Sequence, residues 1–177
     1  MTSSLLISPT AERELPALMA LLGRCVERMR SQGIDQWDEI YPDAAAIQRN
    51  IASGSLYCLR AGDTPAGMIV LNEEQDAEYA KVAWEFSGRV LVAHRLAVDP
   101  AFQGRGCARR LMLFAEEFAR NNGYHAIRLD SFPLNAAAMA LYPRLGYRHA
   151  GVVTFRKGLF YCFEKRVAQS PLTAPGE

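Results

Sequence analysis

Two glycines and three arginines stand within seven residues of each other, directly after an apolar stretch that alternates like a strand. The full stretch reads Leu96-Ala97-Val98-Asp99-Pro100-Ala101-Phe102-Gln103-Gly104-Arg105-Gly106-Cys107-Ala108-Arg109-Arg110. The pattern predicts a strand, a tight loop and the start of a helix, where several N–H groups lack partners within the helix. The glycines leave those donors open to a phosphate, and the arginines add positive charge. The stretch therefore predicts a diphosphate site.

Two common diphosphate patterns do not fit this loop. The nucleoside-triphosphate pattern, with Lys-Ser or Lys-Thr after its last glycine, is absent. The dinucleotide fingerprint G-x-G-x-x-G also fails, because Arg109 stands where its third glycine would be. The remaining alternative to a diphosphate site is a tight strand-to-helix turn with a solvated arginine cluster.

A second feature lies further along the chain, at Asn135 and Tyr142. The two residues are separated by about two helical turns, so they are expected to project from one helix face. A phenol that faces a bound ligand from a helix can act as a proton donor. The alternative roles are an ordinary N-cap for Asn135 and an amphipathic core residue for Tyr142. Pro143 predicts that this helix is short or kinked.

Together these two features resemble the GCN5-related N-acetyltransferase (GNAT) family. The coenzyme A pyrophosphate motif of that family, Gln/Arg-x-x-Gly-x-Gly/Ala, is matched by Gln103-Gly104-Arg105-Gly106-Cys107-Ala108. The stretch from Asn135 through Tyr142 to Tyr147 is also similar to that family. The resemblance follows the element order over residues 5–166, with its specific motifs between 94 and 147. The loop Gly33–Trp37 with Tyr41-Pro42 resembles a bacterial subgroup of the family.

The resemblance implies an N-acetyltransferase that uses acetyl-CoA and no metal. The residues expected to bind the cofactor are Leu96, Ala97, Val98, Gln103, Gly104, Arg105, Gly106, Cys107, Ala108, Arg109, Asn135 and Tyr142. Backbone at Leu96 and Val98 would pair with the pantetheine arm, and an N–H near Leu96 or Ala97 would polarise the thioester carbonyl. The amine would attack directly, so that Cys107 need not be a nucleophile. Tyr142 would protonate the departing thiolate.

The resemblance leaves the general base and the acceptor pocket open. His94, two residues before Leu96, is the first candidate base, and its alternative role is that of a packed strand residue. Glu85 and Asp130 are further candidates, and Glu85 is also placed among the substrate-binding residues. The other two substrate-binding residues are Trp37 and Tyr41. Their side chains would either wall the pocket or anchor their loop.

An acidic pair in the same loop, Asp38 and Glu39, offers two interpretations. The carboxylates would attract a cationic amine, or they would form a solvated turn. The acceptor itself is expected to be a small-molecule amine or a peptide amino group. A catalytically silent acyl-CoA sensor or interaction domain is the alternative function.

The elements that must position these residues predict a mixed α/β fold in one domain. Helical and strand patterns follow each other in the order ααββ and then βαβαββ after a short opening strand. The resemblance implies three layers, with a mostly antiparallel sheet of about seven strands and about four flanking helices. One face of the strand Arg89–Val98 is expected to carry Val90, Val92, His94, Leu96 and Val98. The domain is expected to span residues 1–166, with residues 167–177 as a disordered tail.

Composition excludes several other classes of protein. Twenty basic and nineteen acidic residues among 177 give a net charge of +1, which disfavours a general nucleic-acid binder. No apolar run is long enough to span a membrane, and the first residues lack the pattern of a secretory signal. The cysteines, expected to be buried and reduced in a cytoplasmic protein, are Cys25, Cys58, Cys107 and Cys162. A homodimer is compatible with the sequence.

Overall fold

One seven-stranded sheet organises the chain in a computed structural model that describes residues 5–38 and 40–168. The strands are β1 (Leu5–Pro9), β2 (Leu56–Ala61), β3 (Thr64–Asn72), β4 (Val90–Val98), β5 (Ala126–Ser131), β6 (Arg148–Phe155) and β7 (Gly158–Arg166). They lie in the order β1-β2-β3-β4-β5-β7-β6, and only the β4–β5 pair is parallel. The predicted mixed, mostly antiparallel sheet is confirmed.

Four helices cover the two faces of this sheet within the described residues. They are α1 (Leu15–Ser31), α2 (Ala44–Ala52), α3 (Cys107–Asn121) and α4 (Ala136–Arg144). Helices α1 and α2 pack on one face, in a cluster that includes Leu18, Ile47 and Met68. Helices α3 and α4 pack on the other face, in a cluster that includes Leu111 and Tyr142. The three-layer prediction is therefore confirmed.

The two prolines near helix ends lie where their chemistry allows them. Helix α1 begins at Leu15, so that Pro16 occupies its first turn, where no helical partner for its missing N–H is needed. Helix α4 is short, and Pro143 is its penultimate residue. The helix is thus short, as predicted, and the Tyr142 side chain precedes the proline.

A β-bulge in β4 changes which side chains share a face. Val70 of β3 pairs with His94, and Met68 pairs with Ala97, so that Arg95 and Leu96 together oppose one residue of β3. Arg95 has a φ of +51°, the only positive value at a non-glycine position among the described residues.

The predicted strand face is consequently wrong beyond His94. Leu96 and Val98 join Leu91 and Ala93 in the cluster on the α3 side, while Ala97 joins the α1 cluster. Period-2 alternation cannot reveal this exchange of faces, because the bulge inserts one residue into the register. Among the described residues, β4 and β5 pair only over Val90–Val92, so the strands part as they approach the bulge.

The described part of the chain ends close to the sheet. Val167 is 6% exposed, and its N–H donates a hydrogen bond of 2.9 Å to the carbonyl of His125. Residues 169–177, which belong to the predicted disordered tail, lie outside the described residues. The four cysteines are free and buried, as predicted. None of the described helices has the length and apolar character that crossing a membrane requires.

Candidate functional site

The loop before α3 has the geometry of an anion site. Gly104 and Gly106 have φ values of +73° and +76°, and a Cβ added at either position would meet no atom within 4 Å. The N–H of Arg110 donates to the Gly106 carbonyl at 2.9 Å as the helical ladder begins. The N–H groups just before it lie outside that ladder, at the positive end of the helix dipole. The loop therefore presents open backbone donors, as a phosphate requires.

A groove of about 430 Å³ leads from this loop to the second half of β4, and we call it the loop groove. The predicted cofactor-binding residues that line it are Leu96, Ala97, Val98, Gln103, Gly104, Gly106, Cys107, Ala108, Arg109 and Asn135. Arg28 of helix α1 and Gln32, which follows the helix, also line the groove. The Nε2 of Gln103 donates to the Val98 carbonyl at 3.1 Å, which ties the loop to the end of β4.

The arginine cluster does not act as one unit. Arg109 lines the loop groove, but Arg105 does not, and its guanidinium carbon lies 5.6 Å from the centre of the Phe102 ring. The Nη2 of Arg110 donates to the Leu5 carbonyl at 2.5 Å, on the side of β1. Of the three arginines, Arg109 alone lines the loop groove, and a role of Arg105 in cofactor binding stays a prediction. The groove instead combines Arg109 with Arg28 from α1.

A second cavity of about 450 Å³ adjoins the loop groove, and we call it the tyrosine cavity. Both spaces are bounded by Trp37, Leu96, Asn135 and Ala138. Because these residues are common to both, a ligand that extends from the loop along β4 ends beside the tyrosine cavity. The two features predicted from the sequence, the glycine loop before α3 and the residues of α4, therefore border adjoining spaces.

Tyr142 lines the tyrosine cavity from α4. Its ring packs at 6.0 Å from that of Tyr147 and at 5.4 Å from that of Phe163, measured between centroids. Burial, together with the charge of Asp130, raises the pKa of the Tyr142 hydroxyl well above its usual range. The hydroxyl is therefore protonated at neutral pH and available as a proton donor.

Asn135 combines both roles that its position allows. Its Oδ1 accepts a hydrogen bond of 3.2 Å from the N–H of Ala138, which caps α4. Its Nδ2 donates to Oε1 of Gln36 at 3.3 Å. The cap fixes the start of α4, and the amide borders both cavities.

Asp130, the penultimate residue of β5, is a carboxyl whose charge acts on the Tyr142 hydroxyl. It lines the tyrosine cavity, and the hydroxyl of Tyr79 donates a hydrogen bond of 2.7 Å to its Oδ2. Burial raises the pKa of Asp130 to about 6, against the lowering effect of the Tyr79 hydrogen bond, and the charge of Asp76 raises it further. The group is thus poised to take up and release a proton near neutral pH.

His94 also lines the tyrosine cavity, and its proton is held on Nε2. That nitrogen lies 3.0 Å from Oδ1 of Asn72 and 3.1 Å from the carbonyl of Glu74. Oδ1 of Asn72 already accepts a hydrogen bond from the N–H of Glu74, so both neighbours of Nε2 are acceptors. Nδ1 is left unprotonated. Burial, assisted by the Arg95 charge, lowers the pKa of His94 to about 4.

The aromatic residues of the first loop have different roles. Trp37 borders both cavities and is also buried in the α1 cluster, so its wall and anchor roles coexist. Tyr41 lines the tyrosine cavity, and the guanidinium carbon of Arg95 lies 5.0 Å from its ring centre.

The acidic residues of the sequence prediction lie elsewhere. Glu85 lines neither cavity: its Oε2 lies 2.8 Å from Nε of Arg148, near a separate cavity that Ser87 also borders. Asp38 is paired with Arg156 and Lys157, which lowers the pKa of its carboxyl. Glu85, a predicted substrate-binding residue, therefore lies away from the tyrosine cavity, and the Asp38 carboxylate is paired with two cations of the protein. Glu39 lies outside the described residues.

Several cavity residues carried no recognisable sequence signal. Arg95 and Asp76 line the tyrosine cavity, and Arg28 lines the loop groove. The bulge in β4 places Arg95 at the tyrosine cavity. Asp76 comes from the polar connection between β3 and β4, whose sequence shows no helix or strand periodicity. No cluster of three or more metal-ligating side chains occurs in the described part of the chain.

Comparison with known proteins agrees with this geometry. Residues 19–147 match the acetyltransferase (GNAT) family. The uncharacterized N-acetyltransferase YesJ of Bacillus subtilis (strain 168) is 26% identical over 163 residues, which cover 90% of the chain and 88% of that protein. N-alpha-acetyltransferase RimI of Mycobacterium tuberculosis is 43% identical over 60 residues, which are 33% of the chain and 35% of that relative.

Solved structures show the same fold. A GNAT-family acetyltransferase from Streptococcus agalactiae 2603 superposes with a TM-score of 0.82 at 20% identity, covering 96% of this chain and 99% of that one. The protein yncA of Salmonella typhimurium, solved with its cofactor acetyl-CoA, gives a TM-score of 0.71 at 17% identity, covering 98% and 99%. The family match extends over more than half of the chain. The chain therefore belongs to the GNAT family of acetyltransferases.

Proposed function

We propose that the protein transfers an acetyl group from acetyl-CoA to a primary amine, by direct attack in a ternary complex. The observation that carries this proposal is the common boundary of the loop groove and the tyrosine cavity at Trp37, Leu96, Asn135 and Ala138. A donor in the groove and an acceptor in the cavity would meet beside Tyr142. Holding two reactants in contact is a large part of what an enzyme can contribute.

The residues of the loop groove fit coenzyme A. The open N–H groups after Gln103 and the side chains of Arg28 and Arg109 suit its phosphates. Acetyl-CoA, when bound, supplies an acetyl group activated as a thioester. Among the described residues, β4 pairs with β5 only as far as Val92, so that β4 backbone groups at the common boundary are open to a ligand on that side. An N–H there suits a carbonyl oxygen that gains negative charge.

Asp130 is the favoured proton acceptor. Tyr79 occupies its Oδ2, which leaves Oδ1 to take a proton from the incoming ammonium group. A pKa of about 6 allows this carboxyl to be ionised at neutral pH and still basic enough to bind a proton. His94, with an unprotonated Nδ1 but a pKa of about 4, is the second candidate.

Tyr142 is the favoured proton donor. As the amine nitrogen bonds to the acetyl carbon and the carbon–sulfur bond breaks, its hydroxyl would give a proton to the departing sulfur. The ammonium group of the acceptor loses two protons in total. One restores Tyr142, and the other leaves through Asp130 to water, so that the reaction balances.

The thiols of the loop groove favour direct attack over an acetylated cysteine. Burial raises the pKa of Cys107, and burial with the charge of Asp99 raises that of Cys25 to about 12. The Sγ of Cys25 also donates to the Val98 carbonyl at 3.3 Å. Both groups are thus neutral thiols, which are poor nucleophiles.

A free-thiol assay with acetyl-CoA tests this proposal. The purified protein is incubated with amino acids, polyamines, aminoglycosides and peptides, and N-acetylated products are identified by mass spectrometry. Thiol release coupled to one N-acetylated product is expected. Thermal stabilisation by acetyl-CoA without turnover on any amine would instead support an acyl-CoA sensor.

A further inference from the structure

The tyrosine cavity contains charges of both signs, and two of its cations already have partners. Arg156 and Lys157 reach the cavity from the turn between β6 and β7. Both pair with Asp38, at 2.9 and 2.8 Å, and Lys157 also pairs with Asp35 at 2.8 Å. These two cations are therefore matched within the protein.

Arg95 is different, because no described carboxylate lies within ion-pair distance of it. Its Nη1 donates to Oδ1 of Asn50 at 3.1 Å, and its guanidinium lies over Tyr41. Its Nε is a buried donor without an acceptor. Such a donor is costly and calls for an explanation. The Nε itself is closed to solvent, and the guanidinium of Arg95 borders the cavity with no carboxylate of the described residues as its partner.

Two other arginines of this chain, Arg24 and Arg60, bind a carboxylate. Nε and Nη2 of Arg24 donate to Oδ2 of Asp99 at 2.9 and 2.6 Å. Nε and Nη2 of Arg60 donate to Oε1 of Glu14 at 2.9 and 2.6 Å. The geometry of a guanidinium fork suits this partner. Arg95 has the same chemistry without the carboxylate.

The backbone of Arg95 supports a functional role. Its φ of +51° is unfavourable for a residue with a side chain, and it occurs at the bulge that borders the cavity. Glycine would adopt this conformation without strain. The protein therefore has an arginine at a position where the backbone conformation favours glycine.

The carboxyl groups that line the cavity also lack an ion-pair partner among the described residues. Asp130 and Asp76 both line it, and neither forms an ion pair with a described residue. The Arg95 charge lowers the pKa of Asp76, although burial raises it overall, and the two side chains do not pair directly. The cavity thus offers carboxyls for a cation and the Arg95 guanidinium for an anion.

We propose that the acceptor is a free amino acid, whose amine faces Asp130 and whose carboxylate binds the guanidinium of Arg95. The inference rests on the proposed amine acetylation and specifies its substrate class. A cavity of about 450 Å³ suits a molecule of this size. A diamine would place a second ammonium group beside Arg95, and the first residue of a peptide would leave the arginine without its anion.

Paired acceptors test this assignment. Each amino acid is compared with its carboxamide and with the amine that lacks the carboxyl group, by measuring kcat/KM. The protein is expected to prefer the carboxylate by at least ~10-fold, mostly through KM, since a charge-assisted pair is lost in the other two. In Arg95→Met the preference is expected to fall to within ~3-fold, because the fork that recognises the carboxylate is absent.

Two further variants and a binding measurement make the test independent of folding and turnover. Arg95→Gly relieves the backbone strain and is expected to fold, yet to lose the preference. Arg156→Met removes a cation that is already paired with Asp38. This variant is expected to keep the preference for the carboxylate. Calorimetry with coenzyme A present is expected to show tighter binding of the amino acid than of its carboxamide.

The outcomes separate this inference from the proposed function. Equal use of carboxylate and carboxamide, or a preference for diamines or peptides, would overturn the amino-acid assignment and leave acetyl transfer intact. Failure to acetylate any amine would overturn the proposed function. In that case equal binding of carboxylate and carboxamide would also overturn the role of Arg95.

Discussion

Tyr79 donates a hydrogen bond of 2.7 Å from its hydroxyl to Oδ2 of Asp130, the buried carboxyl of the tyrosine cavity. Tyr79 is itself 2% exposed and comes from the connection between β3 and β4, while Asp130 is the penultimate residue of β5. The bond stabilises the ionised carboxyl, whereas burial disfavours it. The balance of these two effects sets the pKa of Asp130, and so the pH above which the proposed base is ionised.

The first prediction concerns this balance. The kcat/KM for the amine is expected to rise with pH through about 6, as Asp130 loses its proton. Tyr79→Phe removes the hydrogen bond and retains the ring, so the rise is expected at higher pH. A pH profile of both proteins under the same conditions provides the measurement.

His94→Gln is the control for that profile, since His94 is the second candidate base. If Asp130 is the base, this variant is expected to keep a midpoint near pH 6. A wild-type midpoint near 4 that disappears in His94→Gln would assign the role to the histidine instead.

The second prediction links the same carboxyl to stability. The folded-state pKa of Asp130 is about 6, above its ordinary value of 3.8, so ionisation in the folded protein is unfavourable. The stabilising contribution is complete below about pH 3.8 and is lost as the pH rises through 6. Asp130→Asn, which never ionises, is therefore expected to stabilise the protein at pH 7.5 by up to about 3 kcal/mol while abolishing most activity.

Thermal unfolding at pH 7.5 and at pH 4 checks this linkage. The increase in Tm of the Asn variant is expected to shrink at the lower pH, where wild-type Asp130 is largely protonated. An equal difference at both pH values would mean that ionisation of this carboxyl is not the cause.

The third prediction concerns the proton donor. Tyr142→Phe removes one hydroxyl and keeps the ring that packs against Tyr147 and Phe163, so the fold is expected to persist. The kcat is expected to fall by ~10²-fold, which is typical for loss of a general acid. Tyr147→Phe is the matched control, because Tyr147 lines neither cavity. Similar losses in both variants would indicate a packing effect.

The fourth prediction concerns the loop before α3. Gly104→Ala places a methyl group at a positive φ and in the open space that we assign to phosphate. The KM for acetyl-CoA is expected to rise by ~10-fold or more, since approach to the N–H groups is impeded. Gly62→Ala, with a φ of +62° in the β2–β3 turn, carries comparable strain far from the groove. Unchanged affinity in Gly104→Ala would contradict the assignment.

Local patterns predicted much of this molecule. The glycine loop, the cap at Asn135 and the seven-residue spacing to Tyr142 each depend on neighbours in sequence, and the structure places all three at adjoining cavities. The resemblance added the sheet and its layers. Short-range rules are sufficient for such features, because helix starts and turns are determined by a few residues.

Features that depend on distant contacts were not predictable in the same way. The bulge at Arg95 is set by its register with β3, and it moved Leu96 to the other face of β4. Arg105 and Arg110 share a charge pattern with Arg109, but packing against Phe102 and β1 directs them elsewhere. Composition shows which charges exist, and only the fold determines which of them meet.

The most direct test uses acetyl-CoA labelled with carbon-13 in its acetyl group, together with the panel of amines. Mass spectrometry is expected to find the label as an N-acetyl group on an amine product, with one free thiol of coenzyme A per product. The mass of the protein is expected to stay unchanged during turnover. Label that remains on the protein, or binding of acetyl-CoA with no labelled amine from any acceptor, would contradict direct acetyl transfer.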